Sequence, residues 1–147
     1  MTSCYLGLGS NLRSPTRQLH QAQKALRNLP RSTIVKQSRI YATTPWGVRA
    51  QPTYSNQVIL IKTTLPAKRL LQLCQQIELR QQRIRKRRWA ARTLDIDLLL
   101  YGTKVINTHT LVVPHPRMLI RDFVLIPLLE LDPNARMPDG KLISGVK

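Results

Sequence analysis

Asp95 and Asp97 are the sharpest chemical feature of the chain. They flank Ile96 in the run Leu94-Asp95-Ile96-Asp97-Leu98-Leu99-Leu100-Tyr101, whose composition is that of a strand. Residues i and i+2 of a strand share a face, so both carboxylates project together, roughly 7 Å apart by strand rise. Ile96, Leu98 and Leu100 are then expected on the opposite face. Two carboxylates that close repel unless cations hold them. One solution is pairing with nearby Arg on a solvated sheet face. The other is Mg²⁺, a hard cation that takes one or two protein carboxylates and completes its shell with substrate phosphates.

The neighbouring residues favour a phosphate-bearing substrate. Arg83, Arg85, Lys86, Arg87, Arg88 and Arg92 lead into the aspartate strand with Trp89 among them. Guanidinium groups meet phosphate oxygens bidentately, so a basic loop beside a carboxylate pair has the composition of a nucleotide clamp; a solvated helix end has it too. His115, Arg117 and Arg121 form a second basic group around Pro114 and Pro116, and a Pro-His-Pro loop is a poor place to bury an imidazole. Tyr54 and Asn56 share one face of another strand. An amide there can read the edge of a flat heterocycle while a phenol ring covers its face; both also suit the polar end of an ordinary strand. Gly7-Leu8-Gly9-Ser10 fits either a tight strand-to-helix turn or a weak phosphate loop, because it lacks the Gly-Lys-Ser/Thr ending of a P-loop.

The elements that must position these groups follow from periodicity and breakers. Residues 4–10 read as a first strand. Ser14-Pro15 is a helix start, and Leu19, Ala22, Leu26 and Leu29 recur at helical spacing up to Pro30. Residues 34–41 read as a second strand, residues 43–52 as a loop broken by Pro45, Gly47 and Pro52, and residues 54–64 as a third strand. Pro66 opens a second helix with the stripe Leu70, Leu73, Cys74, Ile77. Residues 94–101 form the fourth strand, Gly102-Thr103 a turn and residues 104–107 a short return. Five later prolines predict only short helices and turns. The order β-α-β-β-α-β predicts an α+β, ferredoxin-like antiparallel sheet with both helices on one face.

Composition bounds the rest. One hundred and forty-seven residues, 42% of them hydrophobic, suit a single domain spanning 1–147 with an aliphatic core. The start lacks the order of a signal peptide, and no apolar run approaches the ~20 residues of a membrane span, so a cytoplasmic protein with no membrane partner is expected. Cys4 and Cys74 sit in apolar patterns as buried thiols. Twenty-four Lys and Arg against seven Asp and Glu give +17. The first 77 residues hold no carboxylate at all. Such a chain attracts polyanions.

Several stretches together resemble the 6-hydroxymethyl-7,8-dihydropterin pyrophosphokinase family of folate synthesis. They are Tyr5-Leu6-Gly7-Leu8-Gly9-Ser10-Asn11-Leu12, Gln51-Pro52-Thr53-Tyr54-Ser55-Asn56, Arg88-Trp89-Ala90-Ala91-Arg92-Thr93-Leu94-Asp95-Ile96-Asp97, Pro114-His115-Pro116-Arg117 and Arg121-Asp122-Phe123-Val124-Leu125. They occur in order and cover nearly the whole chain. The resemblance implies a ferredoxin-like fold and transfer of the pyrophosphoryl group of ATP to the hydroxymethyl oxygen of the pterin, with AMP leaving. It implies that Asp95 and Asp97 hold two Mg²⁺, that Arg83 and Arg92 join them in catalysis, and that Glu78, Arg85, Trp89, Arg92, His115 and Arg121 bind ATP. It further implies that Tyr54 and Phe123 sandwich the pterin, whose edge meets Asn56 and the segment carrying Thr43, Pro45 and Trp46. Closure over the substrates falls to residues 10–12, 43–53 and 83–91. Ala90 and Ala91 depart from the Gly-Pro common at their positions.

Two rival classes remain open on the sequence. An RNA-binding sheet would use the charge, but the chain lacks an aromatic strand on which bases stack. A nucleotidyltransferase also couples a Gly-Ser turn to an Asp-x-Asp strand, usually closer together than Ser10 and Asp95, and would release pyrophosphate where a pyrophosphokinase releases AMP. A monomer with no sequence-specific nucleic-acid partner is expected, although +17 permits non-specific polyanion binding.

Overall fold

The computed structural model describes residues 1–10, 15–43, 54–83 and 94–146. The main sheet is built from β1 (Thr2–Ser10), β2 (Ser32–Gln37), β3 (Tyr41–Thr43), β4 (Tyr54–Thr63) and β5 (Asp95–Tyr101), all paired antiparallel. The strands lie in the order β2-β4-β1-β5, with β3 also on β4. Helices α1 (Pro15–Arg27) and α2 (Ala67–Arg83) follow β1 and β4. The expected ferredoxin-like arrangement is therefore present.

Alternation along the strands separates two cores. Cys4, Leu6 and Leu8 of β1, Ile59 and Ile61 of β4, and Ile96 and Leu98 of β5 face the α1/α2 layer. There they meet Leu19, Ala22, Leu26 and Leu29 from the first helical stripe and Leu70, Cys74 and Ile77 from the second; Leu73 packs at its margin. Both thiols are buried and unbridged. Burial drives Cys4 far above an ordinary thiol pKa and Cys74 up to about 12, so both remain protonated packing groups.

The other sheet face carries a third layer that the sequence reading lacked. Helix α3 (Asp122–Leu131) spans ten residues and runs through Pro127. It buries Val124, Leu125, Leu128 and Leu131 against Val58, Leu99 and Leu100, with Met118, Ala135 and Ile143. Pro127 forfeits one helical hydrogen bond, and the apolar face of α3 offsets that loss by leaving water for the second core.

Three further expectations change. The second strand is two, because Ser38 leaves the ladder: its hydroxyl takes the amide of Val58 at 3.0 Å and donates to the Arg39 carbonyl at 2.7 Å. The short return is β6 (Ile106–Asn107), paired with β7 (Val112–Val113) in a separate ribbon. Leu100 does not oppose the aspartates. The β1/β5 register shifts between Tyr5 and Leu6, which pair with Leu100 and Leu98, so Leu99 stands unpaired as a bulge. Leu99 and Leu100 consequently both enter the α3-side core. Beyond β5, Gly102 turns the chain at φ 56°, a conformation open to glycine, as the sequence predicts.

Candidate active site

On the α3 side, part of the sheet is left uncovered by the described residues and lines a cavity of about 360 Å³. Asp95 and Asp97 line one flank, Tyr54 and Asn56 the other, and Arg121, Phe123 and Val124 at the start of α3 close the top. Gly7 and Gly9 are the floor. They lie within β1, paired with Asp97 and Asp95 on one side and with Val58 and Asn56 on the other. Neither a turn nor a phosphate loop occurs at Gly7 and Gly9. Their role is to leave the middle strand bare between two functional strands. A Cβ on Gly9 would lie 2.6 Å from Oη of Tyr54, so only glycine lets that ring cross the strand. Two glycines at i and i+2 inside a strand were the available sequence signal, masked by their proximity to Ser14-Pro15.

The ring that crosses Gly9 reaches the carboxylates. Tyr54 Oη donates to Oδ2 of Asp95 across 3.4 Å. Burial, then the charges of Asp95 and Asp97, push the phenol up to about 12 against the opposing pull of Arg121, so it stays a donor. Asp97 faces His115, whose Nε2 is 3.9 Å from its Oδ2. His115 is set by the backbone: its amide donates to the Leu99 carbonyl at 2.9 Å, and its Nδ1 accepts the Arg117 amide at 3.2 Å. That acceptor role fixes the proton of the neutral ring on Nε2, toward Asp97. Burial lowers the imidazole pKa, Arg121 and Arg117 lower it further, and Asp97 opposes them.

Asn56 is 4% exposed, and its Nδ2 finds no hydrogen-bond partner among the described residues. A buried amide left open in this way costs free energy of order 1–3 kcal/mol, which a ligand acceptor would recover. Tyr54 and Phe123 face each other with centroids 6.3 Å apart and planes 60° from parallel. A flat ring stacked between them needs about 7 Å, twice the ~3.5 Å contact distance of carbon atoms. The two rings are thus in place but closed on one another. Arg121 lies 5.4 Å over Phe123, which holds its guanidinium at the cavity mouth.

The structure brings Asp95, Asp97, Tyr54, Asn56, His115, Arg121 and Phe123 together. Glu78 it places elsewhere. Its Oε2 accepts the Ile96 amide at 2.8 Å, tying α2 to the outer edge of β5, and it does not line the cavity. Arg85, Trp89, Arg92, Pro45 and Trp46, and the side chains of Arg83 and Thr43, lie outside the described residues. Among the described residues, no group of three or more His, Cys, Asp and Glu gathers as a metal cluster. Two carboxylates suffice for Mg²⁺ when phosphate oxygens complete the shell, so Asp95 and Asp97 fit that ion by donor type and by their shared face.

The chain matches the family model of 7,8-dihydro-6-hydroxymethylpterin-pyrophosphokinase over residues 5–133. It is 42% identical over 144 residues to the 2-amino-4-hydroxy-6-hydroxymethyldihydropteridine pyrophosphokinase of Haemophilus influenzae, covering 98% of this chain and 90% of the relative. The enzyme of the same name from Pseudomonas aeruginosa is 43% identical over 137 residues, 93% of this chain and 85% of the relative. Among solved structures, Plasmodium falciparum HPPK-DHPS superposes with a TM-score of 0.76 at 13% identity, over 99% of this chain and 44% of that one. That likeness speaks to the fold, and this chain spans less than half of the Plasmodium protein.

Proposed function

The chain belongs to the 7,8-dihydro-6-hydroxymethylpterin-pyrophosphokinase family, and from that premise we propose how its residues perform the reaction. It is an ATP-dependent pyrophosphokinase of folate biosynthesis, moving the pyrophosphoryl group of ATP to the hydroxymethyl oxygen of 6-hydroxymethyl-7,8-dihydropterin and releasing AMP. One observation carries the residue assignment. Two carboxylates, an open buried amide and two facing aromatic rings share one cavity of about 360 Å³.

In this reading Asn56 takes an acceptor on the pterin edge with its free Nδ2, and Tyr54 and Phe123 part to hold the ring. Thr43, Pro45 and Trp46 supply the remaining edge contacts. Asp95 and Asp97 hold two Mg²⁺, with Tyr54 orienting Asp95 and His115 beside Asp97. The chemistry that bound Mg²⁺ supplies is neutralisation of phosphate charge and acidification of a coordinated hydroxyl. Arg121 and His115 face the triphosphate from the α3 side, and Arg83, Arg85, Trp89 and Arg92 close over it from the basic segment. Glu78 acts on the ATP side through β5, whose edge it fixes. No side chain is needed as a strong base, since phosphoryl transfer depends mainly on positioning and charge stabilisation. The reading takes the protein as a monomer of the cytoplasm.

Incubation with ATP, Mg²⁺ and hydroxymethyl-dihydropterin, followed by chromatography of AMP, ADP and pyrophosphate, tests the assignment. AMP should form one-for-one with pterin diphosphate and vanish in Asp97→Ala. Full activity in Asp97→Ala would remove the carboxylates from the proposed role, and pyrophosphate in place of AMP would mark a nucleotidyltransferase.

A further inference from the structure

The α1/α2 layer carries charge that neither the fold nor the cavity explains. On α1, Arg17, His20, Lys24 and Arg27 are exposed at helical spacing, forming one stripe about 15 Å long at 1.5 Å per residue. With Gln21 and Gln23 they line an open surface groove of about 340 Å³. Exposed Lys68, Arg69 and Arg80 add to the layer from α2. Gln81 donates to the Gln18 carbonyl and Oε1, both at 3.2 Å, so the turns bearing Arg80 and Arg17 are adjacent.

Several of these charges oppose folding. Like charges at i, i+3 and i, i+4 weaken a helix, and cations in the first turn oppose its dipole. Arg17, Lys68 and Arg69 occupy first turns in which neither helix has an acidic residue. The single carboxylate of the two helices, Glu78, is committed to the Ile96 amide. A solvated face would mix signs, whereas this one is cationic along both helices.

We propose that the α1/α2 face docks the phosphate backbone of duplex nucleic acid without sequence preference. A duplex carries one charge per ~3.4 Å of axis on each strand, so roughly four phosphates of one strand lie along the 15 Å stripe. The two helices contain no Phe, Tyr or Trp on which an unpaired base could stack, and Leu79 is the only exposed large hydrophobic among their described side chains. Backbone contact with a duplex needs neither. A membrane surface would use apolar side chains to insert, and the stripe has none. The face lies across the sheet from the catalytic cavity, so docking leaves the cavity open.

Fluorescence anisotropy with a labelled 20-base-pair duplex of arbitrary sequence, titrated across salt, tests the proposal. Lys24→Glu with Arg27→Glu should weaken binding at least tenfold at 100 mM salt and flatten the salt slope by about 2. Lys104→Glu with Lys141→Glu changes net charge equally on other surfaces and should weaken it less than threefold. Both pairs should keep pterin-dependent AMP formation, which certifies folding; Lys24→Gln with Arg27→Gln repeats the loss without new charge. Equal weakening by the two Glu pairs would reduce the effect to net charge and overturn the proposal. So would an absence of duplex binding at 100 mM salt, or displacement by polyglutamate as effective as by unlabelled duplex at equal charge.

Discussion

The two faces of the sheet divide the work of the protein. The α1/α2 face packs an extensive, mostly aliphatic core under its helices, with Gln23 and Gln57 buried and bonded to each other beside it. The α3 face is covered by its second core in part, and the described residues leave it open over Gly7 and Gly9, where Asp95, Asp97, Asn56 and Tyr54 converge. The acidic residues follow the same division: Asp95, Asp97, Asp122, Glu130, Asp132 and Asp139 all belong to β5, α3 or the tail after it, while the helix layer has Glu78 alone. One face thus provides stability. The other gives up close packing, keeping two like charges near an amide that has no partner among the described residues.

The largest effects should separate the faces most sharply. Asp95→Ala should lower kcat on the order of 10³-fold while leaving Tm unchanged or raised, because one of two repelling carboxylates is gone. A Tm drop like that of a core variant would show that the site face also carries stability. Leu19→Ala, at a position with no exposure, should cost about 2–5 kcal/mol in urea unfolding, with kcat retained by the folded fraction. A kcat loss at full folding would break the division from the other side.

Gly9→Ala is a smaller and more local probe. Its methyl would displace the Tyr54 ring, so KM for the pterin should rise roughly tenfold, or about 1.4 kcal/mol, with KM for ATP little changed. An unchanged pterin KM would mean that Tyr54 need not cross β1. The smallest effect concerns the clasp between α3 and β3. Glu130 accepts the Arg39 amide at 3.1 Å and its Nε at 3.2 Å, and it also accepts the Tyr41 hydroxyl. Although desolvation opposes them, those donors together hold its carboxyl below the usual 4.5. The folded state therefore binds this proton less readily than the unfolded chain. The clasp's contribution is complete above about pH 4.5 and is lost as pH falls through the lower folded value. Tm should drop by roughly 2 °C more in wild type than in Glu130→Gln on acidification from pH 6 to 3.5. Equal drops would show that the clasp contributes nothing.

Much of this was legible in the chain. Local rules sufficed for α1, whose stripe Leu19, Ala22, Leu26 is wholly buried, with Leu29 just past its end, and for the shared face of Asp95 and Asp97, because periodicities of 3.6 and 2 are set by backbone geometry alone. Residue types at Tyr54, Asn56, His115 and Arg121 singled out side chains that the structure brings together. What local rules could not supply was anything decided between distant segments. The bulge at Leu99 depends on the register of β1 against β5, and it alone moves Leu100 to the α3-side core. Helix α3 passes through Pro127 because a second core rewards its apolar face, a gain invisible in a helix propensity. Gly7 and Gly9 read as turn residues until pairing on both sides made them the floor of a cavity. Glu78, acidic in a basic chain, accepts the Ile96 amide, a partner that only the position of β5 supplies. The sequence by itself singled out the candidate groups by type and spacing. The tertiary structure decided which of them meet, because a cavity is a property of strand register and layer packing and not of any one segment.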